Sequence, residues 1–430
     1  MKENKDNKKQ KLRERKPNWQ ETAASVEDIQ QFLSERVLLR FNVITQHVEY
    51  HELSDYGKET EEGYQRLSDR VVNTLWTEMA QKQTVRIQDM QRVIDSDFVP
   101  SYNPFQYYLQ QLERKERWNG AVDHIMLLAS TICVKGDSAD QELFTECLRR
   151  WLVAMVAGWV DDTVVNHAIL VLIGPQGAYK TTWFQHLLPP ELREYFYTKT
   201  NANRMSKDDL LVLAKYGLVC CEELDTMRSA ELNQLKAAVT MQTIDERPAY
   251  ARYHERRPHI ASFCGTGNNL QFLSDPTGNR RWLPFEVEYI APPRTNELDY
   301  DGIYAQAYAL YKQGYQYWFS QDDARTMSHH NQQFETPRLE TELVAQYFRQ
   351  PNDSEPGEFM SVALALQIVG AGITQKLSAV MLGRAFRELG YMPKTYHNMR
   401  GYVVVRRDAN EMRSMRQQLA NTDTDDTDVF

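Results

Sequence analysis

Residues Ala168–Trp183 read AILVLIGPQGAYKTTW, and the rest of the chain is organised around them. Ala168–Ile173 is a short, branched apolar run with the length of a fully buried strand. It stops at Gly174, and Gly174, Pro175, Gln176, Gly177, Ala178 and Tyr179 then lead into Lys180, Thr181 and Thr182. Strand, glycine-containing loop, Lys-Thr and a helix from Lys180 to about Leu188 is the layout of a phosphate-binding loop. Each residue type has a physical reason. Glycine lets backbone N–H groups turn inward onto phosphate oxygens, and the helix start adds partial positive charge. Lys180 is expected to reach the β- and γ-phosphates, and the Thr181 hydroxyl to sit on Mg²⁺. The usual pattern has glycine just before the lysine. Here that position is Tyr179, so a left-handed backbone there carries roughly 1–2 kcal/mol of strain. The competing reading is an ordinary strand–turn–helix with a surface lysine.

Downstream residues favour the nucleotide reading. Ser206–Lys215 reads as an amphipathic helix, and Gly217–Cys221 is a second buried strand ending in Glu222-Glu223. Two carboxylates at a strand's C-terminal end suit a nucleotide site, one holding the Mg²⁺ water shell and the other polarising the attacking water. Arg228–Met241 is the next helix, with Leu232, Leu235 and Val239 on one face and Lys236 beside them. Thr243–Pro258 (TIDERPAYARYHERRP) interleaves Arg247, Arg252, Arg256 and Arg257 with Tyr250 and Tyr253. Cations and aromatics on a hairpin suit a sugar–phosphate backbone, with a solvated basic loop as the alternative. His259–Cys264 is a third buried strand running into Gly265–Asn269, where the Asn268 amide is placed to orient water or sense the γ-phosphate. Asp275–Trp282 (DPTGNRRW) then offers Arg280 and Arg281 as charges for a transferring phosphate.

Composition sets the outer bounds. A chain of 430 residues has room for two or three domains, and 42% hydrophobic with 25% charged residues is ordinary for a globular protein. The net charge of −9 excludes a basic nucleic-acid coat, so any nucleic-acid contact must come from local patches. Five cysteines (Cys133, Cys147, Cys220, Cys221, Cys264) form no metal-ligand spacing, which points to reduced thiols in a cytoplasmic protein. Neither a membrane span nor a secretory leader is expected, since no apolar run is long enough.

The flanks are less specific. Met1–Lys16 carries eight Lys/Arg against three acids and reads as a disordered basic tail. Helices are expected from Ser25, over Leu67–Met79, Arg86–Ile94 and Pro104–Glu116, with Val37–Glu52 as a small hairpin. Phe144–Trp159 is a long apolar helix whose Trp151, Met155 and Trp159 stripe reads as core. Asp301–Phe319 closes the central region, followed by a polar connector at Gln321–Gln333. Glu340–Arg349, Ser361–Val369, Leu377–Leu389 and a Val403–Arg407 strand have the order of a winged helix–turn–helix. There Lys394, His397 and Arg400 favour nucleic acid, with protein contact as the alternative. Thr422–Phe430 is an acidic tail.

The ordered set WNGAVDHI, WLVAMVAGW, VLIGPQGAYKTTW, CCEELD, Lys236 and FCGTGNNLQFLSDPTGNRRW, spanning about Tyr102–Ile290, resembles the virulence-associated E family. Those are P-loop ATPases of phages and mobile elements, similar to superfamily 3 helicases and phage primase-helicases. The resemblance implies an AAA+-like core; with the flanks read above, the expected fold is α/β, an AAA+-like P-loop NTPase core with an N-terminal mainly helical domain and a C-terminal winged-helix-like domain. The expected division is a tail (1–24), an N-terminal α-rich domain (25–130), the ATPase (131–320), the winged-helix-like domain (335–410) and a helix end with acidic tail (411–430). The resemblance implies ATP and Mg²⁺, single-stranded or forked DNA and a homo-oligomeric ring, hexameric by expectation; no primase carboxylate cluster is visible upstream of the ATPase, so any primase activity is expected on another chain. Lys180 and Thr181 match the phosphate and Mg²⁺ residues, Glu222 and Glu223 the acidic pair, and Asn268 the water-sensing asparagine. Arg280 or Arg281 matches the finger that reaches a neighbour's site. The insert with Arg247, Tyr250, Arg252, Arg256 and Arg257, together with Lys236, falls where DNA contact is expected. The expected function is an ATP-dependent DNA helicase or translocase in replication. Two other readings stay open at this point: a regulatory or defence ATPase switch that does not unwind DNA, and a DNA-binding initiator with a structural ATPase core.

Overall fold

The computed structural model describes residues 23–53, 63–200, 207–246, 254–273, 279–336, 339–352, 354–371, 373–374, 377–397 and 399–424. Residues 1–22 of the basic tail, the insert tip with Arg247, Tyr250 and Arg252, and the acidic end 425–430 lie outside the described residues. The chain divides into two compact units, Met1–Gln333 and Phe334–Phe430.

The first unit opens with α1 (Val26–Arg36), started by a reciprocal cap in which Ser25 Oγ accepts from the Asp28 amide and the Asp28 carboxylate accepts from the Ser25 amide. There follow β1 (Val37–Asn42), β2 (His47–Glu52), β3 (Gln65–Arg66), α2 (Asp69–Ala80), α3 (Ile87–Ile94) and β4 (Ser101–Tyr102). The strands form a four-stranded sheet in the order β3-β2-β1-β4, packed with the helices around Ile29, Leu33, Leu75, Met90 and Ile94. The region expected to be mainly helical is therefore mixed. β3 and β4 are two residues long, too short to show a period in sequence.

No gap in packing lies at residue 130. α4 (Pro104–Arg114) and α5 (His124–Ala129) send Phe105, Leu109, Ile125 and Leu128 into the same core as the central sheet. After β5 (Ile132–Val134) comes α6 (Ser138–Val160), which starts earlier than its apolar pattern because Asp137 and Asp140 form a second reciprocal cap. Its tryptophans are core and also pins. Trp151 Nε1 donates to Phe263 O at 3.0 Å, and Trp159 Nε1 to Gly217 O at 3.3 Å.

The remaining elements of this unit are β6 (Ile169–Ile173), α7 (Lys180–Gln185), β7 (Phe196–Lys199), α8 (Lys207–Lys215), β8 (Leu218–Cys221), α9 (Ser229–Val239), the antiparallel pair β9 (Thr243–Glu246) and β10 (Glu255–Pro258), β11 (Ser262–Gly267), β12 (Trp282–Ile290), α10 (Tyr300–Lys312) and α11 (Gln321–His330). The main sheet runs β5-β12-β6-β11-β8-β7. All of its strands are parallel except β5, which is antiparallel to β12. β6 is buried along its whole length, as its unbroken apolar run requires. Ile173 lies opposite Gly267, and Gly265 opposite Cys221, so β6, β11 and β8 deliver the residues that follow them to one edge. α11 replaces the expected polar connector. It is capped by Ser320 and Asp323 and buries only Met327, which packs against Cys147, so its sequence carries no apolar stripe to read.

The second unit, taken alone, contains α12 (Leu339–Tyr347), β13 (Phe348–Arg349), β14 (Glu358–Ser361), α13 (Val362–Val369), α14 (Ala379–Glu388), β15 (Pro393–Tyr396), β16 (Met399–Arg406) and α15 (Ala409–Thr424). β16 pairs with β13, β14 and β15. Its core gathers Val344, Phe348, Met360, Leu382, Phe386 and Val404. Tyr402 stacks on Phe386 with ring centres 4.6 Å apart, and its hydroxyl donates to Gly383 O at 2.6 Å.

Candidate nucleotide site

The carboxyl edge of β6, β8 and β11 holds a cleft of about 430 Å³. Gln176, Gly177, Ala178, Tyr179, Lys180, Thr181 and Thr182 line one side, Glu222 and Glu223 another, and Thr266, Gly267 and Asn268 a third. The chain segments that the sequence singled out thus meet, because parallel strands bring their C-terminal ends to one side of the sheet.

Lys180 is 7% exposed, and its ammonium donates to Gly174 O at 2.6 Å, to Pro175 O at 2.7 Å and to Asn268 Oδ1 at 3.3 Å. Burial pulls its pKa below the usual lysine range, with the Asp225 charge opposing. The ammonium is therefore held by dipoles, with no carboxylate in direct contact among the described residues.

Backbone geometry around it is unusual. Gly177 has φ 86°, and a Cβ there would meet nothing within 4 Å, so the loop is open on that side. Tyr179, the residue in place of glycine, adopts φ 60° and ψ 13°, and no side chain caps the first turn of α7. Glu223 is left-handed as well, with φ 54° and ψ 44°. Such conformations cost about 1–3 kcal/mol each and gather where function demands them. Of the five described non-glycine residues with positive φ, two face this one cleft.

Asp225 is an acid near this edge that the sequence reading passed over. The short 3-10 turn Leu224–Thr226 carries it back toward the strand ends. Its Oδ2 accepts from the Asn269 amide at 3.1 Å and from Asn269 Nδ2 at 2.7 Å, while Oδ1 is buried and has no hydrogen-bond partner among the described residues. A Cβ on Gly267 would lie 2.9 Å from Ile173 Cδ1 and 3.1 Å from that oxygen, so glycine lets the strand end approach both closely. The signal was present as a third acid in CCEELD, two positions past the pair.

Arg280 and Arg281 are elsewhere. They sit in the 3-10 turn ahead of β12, and Trp282 is opposite Ile169, at the start of β6. They line a separate cavity of about 340 Å³ with His167, Tyr317 and Trp318. Burial, and then the Arg280 charge, lowers the pKa of Arg281, and burial with both arginines lowers that of His167.

Two of the expected DNA contacts are corrected. Arg257 is 7% exposed, and its guanidinium donates to Ile44 O at 2.6 Å and Ala214 O at 3.1 Å, tying the base of the β9–β10 hairpin to distant segments. Lys236 is also 7% exposed, because α9 turns it inward with Leu232 and Leu235. Neither offers a surface cation. Arg256, one residue earlier on the opposite strand face, is exposed, and its Nε donates to Thr243 Oγ1 at 3.0 Å.

The virulence-associated protein E-like domain matches residues 112–336, just over half of the chain. The chain belongs to that family. The matched stretch contains the Gly174–Thr182 loop, both glutamates, Asp225 and Asn268, whereas α1–α3 and the second unit from α12 onward fall outside it. Apo structures of the NrS-1 C-terminal region are similar over 88% of this chain and 98% of theirs, at 11% and 12% identity and TM-scores of 0.43 and 0.44. No curated protein matches the sequence. Among the described residues no helix is long and apolar enough to cross a membrane.

Proposed function

We propose that this family member is a Mg²⁺-dependent ATP hydrolase with an AAA+-like core, working as a helicase-type translocase on DNA in the replication of a phage or mobile element. The observation that carries the reading is the convergence of Glu222, Glu223 and Asn268 with the buried Lys180 on one cleft at the carboxyl edge of a parallel sheet. Sheets of this kind bind ligands at that edge, where neighbouring strands connect in opposite directions. The position of β6 between β11 and β12 supports the same assignment.

Each side chain then has a task. Lys180 neutralises the β- and γ-phosphates as charge builds on them. Glu223 takes the proton of the attacking water, whose oxygen bonds to the γ-phosphorus while the bond to the bridging oxygen breaks. Asn268 orients that water. An arginine from a neighbouring copy, Arg280 or Arg281, stabilises the transferring phosphoryl group, an effect worth on the order of 10³-fold or more.

The cleft fits a divalent cation as well. The Thr181 hydroxyl and Glu222 carboxylate are hard oxygen ligands, and Asp225 Oδ1 adds a buried, unpartnered acceptor beside the strand ends. Among the described residues no three His, Cys, Asp or Glu side chains form a cage. When bound, Mg²⁺ would supply neutralisation of phosphate charge.

The β9–β10 hairpin supports the DNA part through exposed Arg256. Arg247, Tyr250 and Arg252 join it on sequence grounds, and a primase on another chain remains the expected partner. The test is steady-state ATP hydrolysis with and without single-stranded DNA, for the wild type and Lys180→Ala. DNA-stimulated hydrolysis that Lys180→Ala abolishes is expected. Hydrolysis retained in the variant removes the site assignment. Hydrolysis that DNA leaves unchanged favours a nucleotide-driven switch.

A further inference from the structure

The 3-10 turn that carries Arg280 and Arg281 is held by a residue that the proposed chemistry leaves unused. Asn331 directly follows α11 and is fully buried. Its Nδ2 donates to Asn279 O at 2.9 Å and to Trp282 O at 3.1 Å. Those two carbonyls belong to the residues immediately before and after the arginine pair. Both amide protons are spent on them. One side chain therefore spans the turn and fixes the backbone from which both guanidinium groups project.

This arrangement carries a cost. Asn331 Oδ1 is buried and has no hydrogen-bond partner among the described residues. A leucine would fill nearly the same space without stranding an acceptor in the core, so packing alone does not account for an asparagine here. What the asparagine adds is its two donors to the turn. The helix that presents it is anchored independently. Arg150 Nη1 of α6 lies 2.9 Å from Asp323 Oδ2, and Cys147 Sγ of α6 lies 3.7 Å from Met327 Sδ. At the far end of α11, His330 Nε2 lies 2.7 Å from Pro284 O in β12. Ser320, Gln321 and Ala324, around the start of the same helix, line the cavity that holds both arginines. The arginine turn is thus tied through α11 to α6, which Trp151 pins to β11.

We infer that Asn331 is a positioning residue for the arginine that acts on a neighbouring copy's ATP, its two hydrogen bonds setting where the turn stands and which way the guanidinium points. The inference rests on the proposed reading in which Arg280 or Arg281 acts between copies. An arginine that must meet a phosphate on another molecule needs a fixed base, since a displacement of about 1 Å at the reacting groups can lower turnover on the order of 10²-fold. Asn331 itself touches neither substrate nor cleft.

The test is steady-state ATP hydrolysis by the full chain, alone and in mixtures of variants. Asn331→Leu removes both donors at nearly constant volume and should lower hydrolysis on the order of 10²-fold, with affinity for a fluorescent ATP analogue unchanged. A freely exchanging, equal mixture with Lys180→Ala should recover hydrolysis, because the intact cleft of Asn331→Leu then meets an arginine held correctly by the other copy. A mixture with whichever of Arg280→Ala and Arg281→Ala is inactive should stay inactive, since neither copy supplies a placed arginine. Wild-type hydrolysis in folded Asn331→Leu overturns the inference. An inactive Asn331→Leu that Lys180→Ala does not rescue, while it does rescue the arginine variant, also overturns it, because Asn331 then serves its own copy's cleft. Failure of Lys180→Ala to rescue the arginine variants as well removes the reading between copies, and the inference falls with it. Asn331→Ser keeps one short donor, should lose less, and takes the same mixtures if the leucine variant does not fold.

Discussion

Lys180 Nζ donates to Oδ1 of Asn268 at 3.3 Å, linking residues 88 positions apart across the carboxyl edge of the central sheet. In the proposed site a triphosphate takes over the lysine's donors, and the amide oxygen is then available to a water. Asn268→Ala should therefore lower ATP turnover about 10²-fold by misplacing that water, while nucleotide affinity stays close to wild type. Steady-state hydrolysis paired with equilibrium binding of a fluorescent ATP analogue separates the two. Wild-type turnover in the alanine variant would take Asn268 out of the mechanism.

Tyr179 offers a check on strain. At φ 60° its Cβ crowds the backbone, which glycine does not do. Tyr179→Gly should raise stability by roughly 0.5–1 kcal/mol, the relief of strain less the extra entropy glycine loses on folding. Tyr179→Val, β-branched at the same φ, should lower it. Thermal melts of the three proteins give the order directly. A glycine variant that melts below wild type would mean that the tyrosine ring contributes more than its backbone strain removes.

Arg256 and Arg257 are neighbours with separate predicted effects. Arg257→Met leaves the Ile44 and Ala214 carbonyls without their donor and should destabilise the first unit by roughly 2–4 kcal/mol. Arg256→Met should melt like wild type but show weaker stimulation of ATP hydrolysis by single-stranded DNA. Denaturant melts and DNA titrations on both variants suffice. Equal stability of the two would contradict the buried role of Arg257.

The strand Ile169–Ile173, the loop after it and the glutamates at 222 and 223 were legible because their signals are local. An apolar run, glycines and a Lys-Thr pair lie within one short stretch, and the acids directly follow a second apolar run. Asp225 was not legible, because its partner Asn269 is 44 positions away and a single 3-10 turn decides where it points. Arg257 and Lys236 looked like surface cations for the same reason. What buries Arg257 is a carbonyl at Ile44, 213 positions earlier in the chain. α11 escaped because a helix with one buried residue, Met327, has no stripe.

Asp123 sets an acid-side limit on the first unit. Burial raises its pKa, but hydrogen bonds from Arg149 at 2.7 and 3.1 Å, from Gln306 at 2.9 Å and from the Met126 amide at 3.0 Å outweigh burial and hold it at about 2. A carboxylate depressed in the folded state contributes stability above its ordinary value of 3.8, and that contribution disappears as pH falls through about 2. With the carboxylate 37% exposed, solvent screens the pair and the effect is modest. Melting midpoints of wild type should fall between about pH 4 and pH 2 more steeply than those of Asp123→Asn. Parallel curves would mean that the ion pair does not report on folding.

The arginines ahead of β12 make the strongest demand on assembly. Trp282 is level with Ile169 and Glu286 with Ile173, so Arg281 and the phosphate-loop cleft of the same chain lie at opposite ends of neighbouring strands. Five residues of strand separate the two ends by about 13–16 Å, beyond the reach of an arginine side chain folded into its own cavity. If Arg280 or Arg281 acts on ATP, the ATP belongs to another copy. Head-to-tail contacts of that kind close into a ring where the rotation closes and run into a filament where it does not, and in either each site would combine Lys180 of one copy with an arginine of the next. Arg281→Ala and Lys180→Ala should each be inactive alone, with Arg280→Ala the companion test. An equal mixture of Arg281→Ala and Lys180→Ala should recover hydrolysis at about a quarter of the interfaces, those that pair an intact lysine with an intact arginine. Hydrolysis measured across mixing ratios, with subunit exchange verified by mass photometry, gives the answer. A mixture that exchanges freely and stays inactive at every ratio, for Arg280→Ala as well as Arg281→Ala, would rule out an arginine acting between copies.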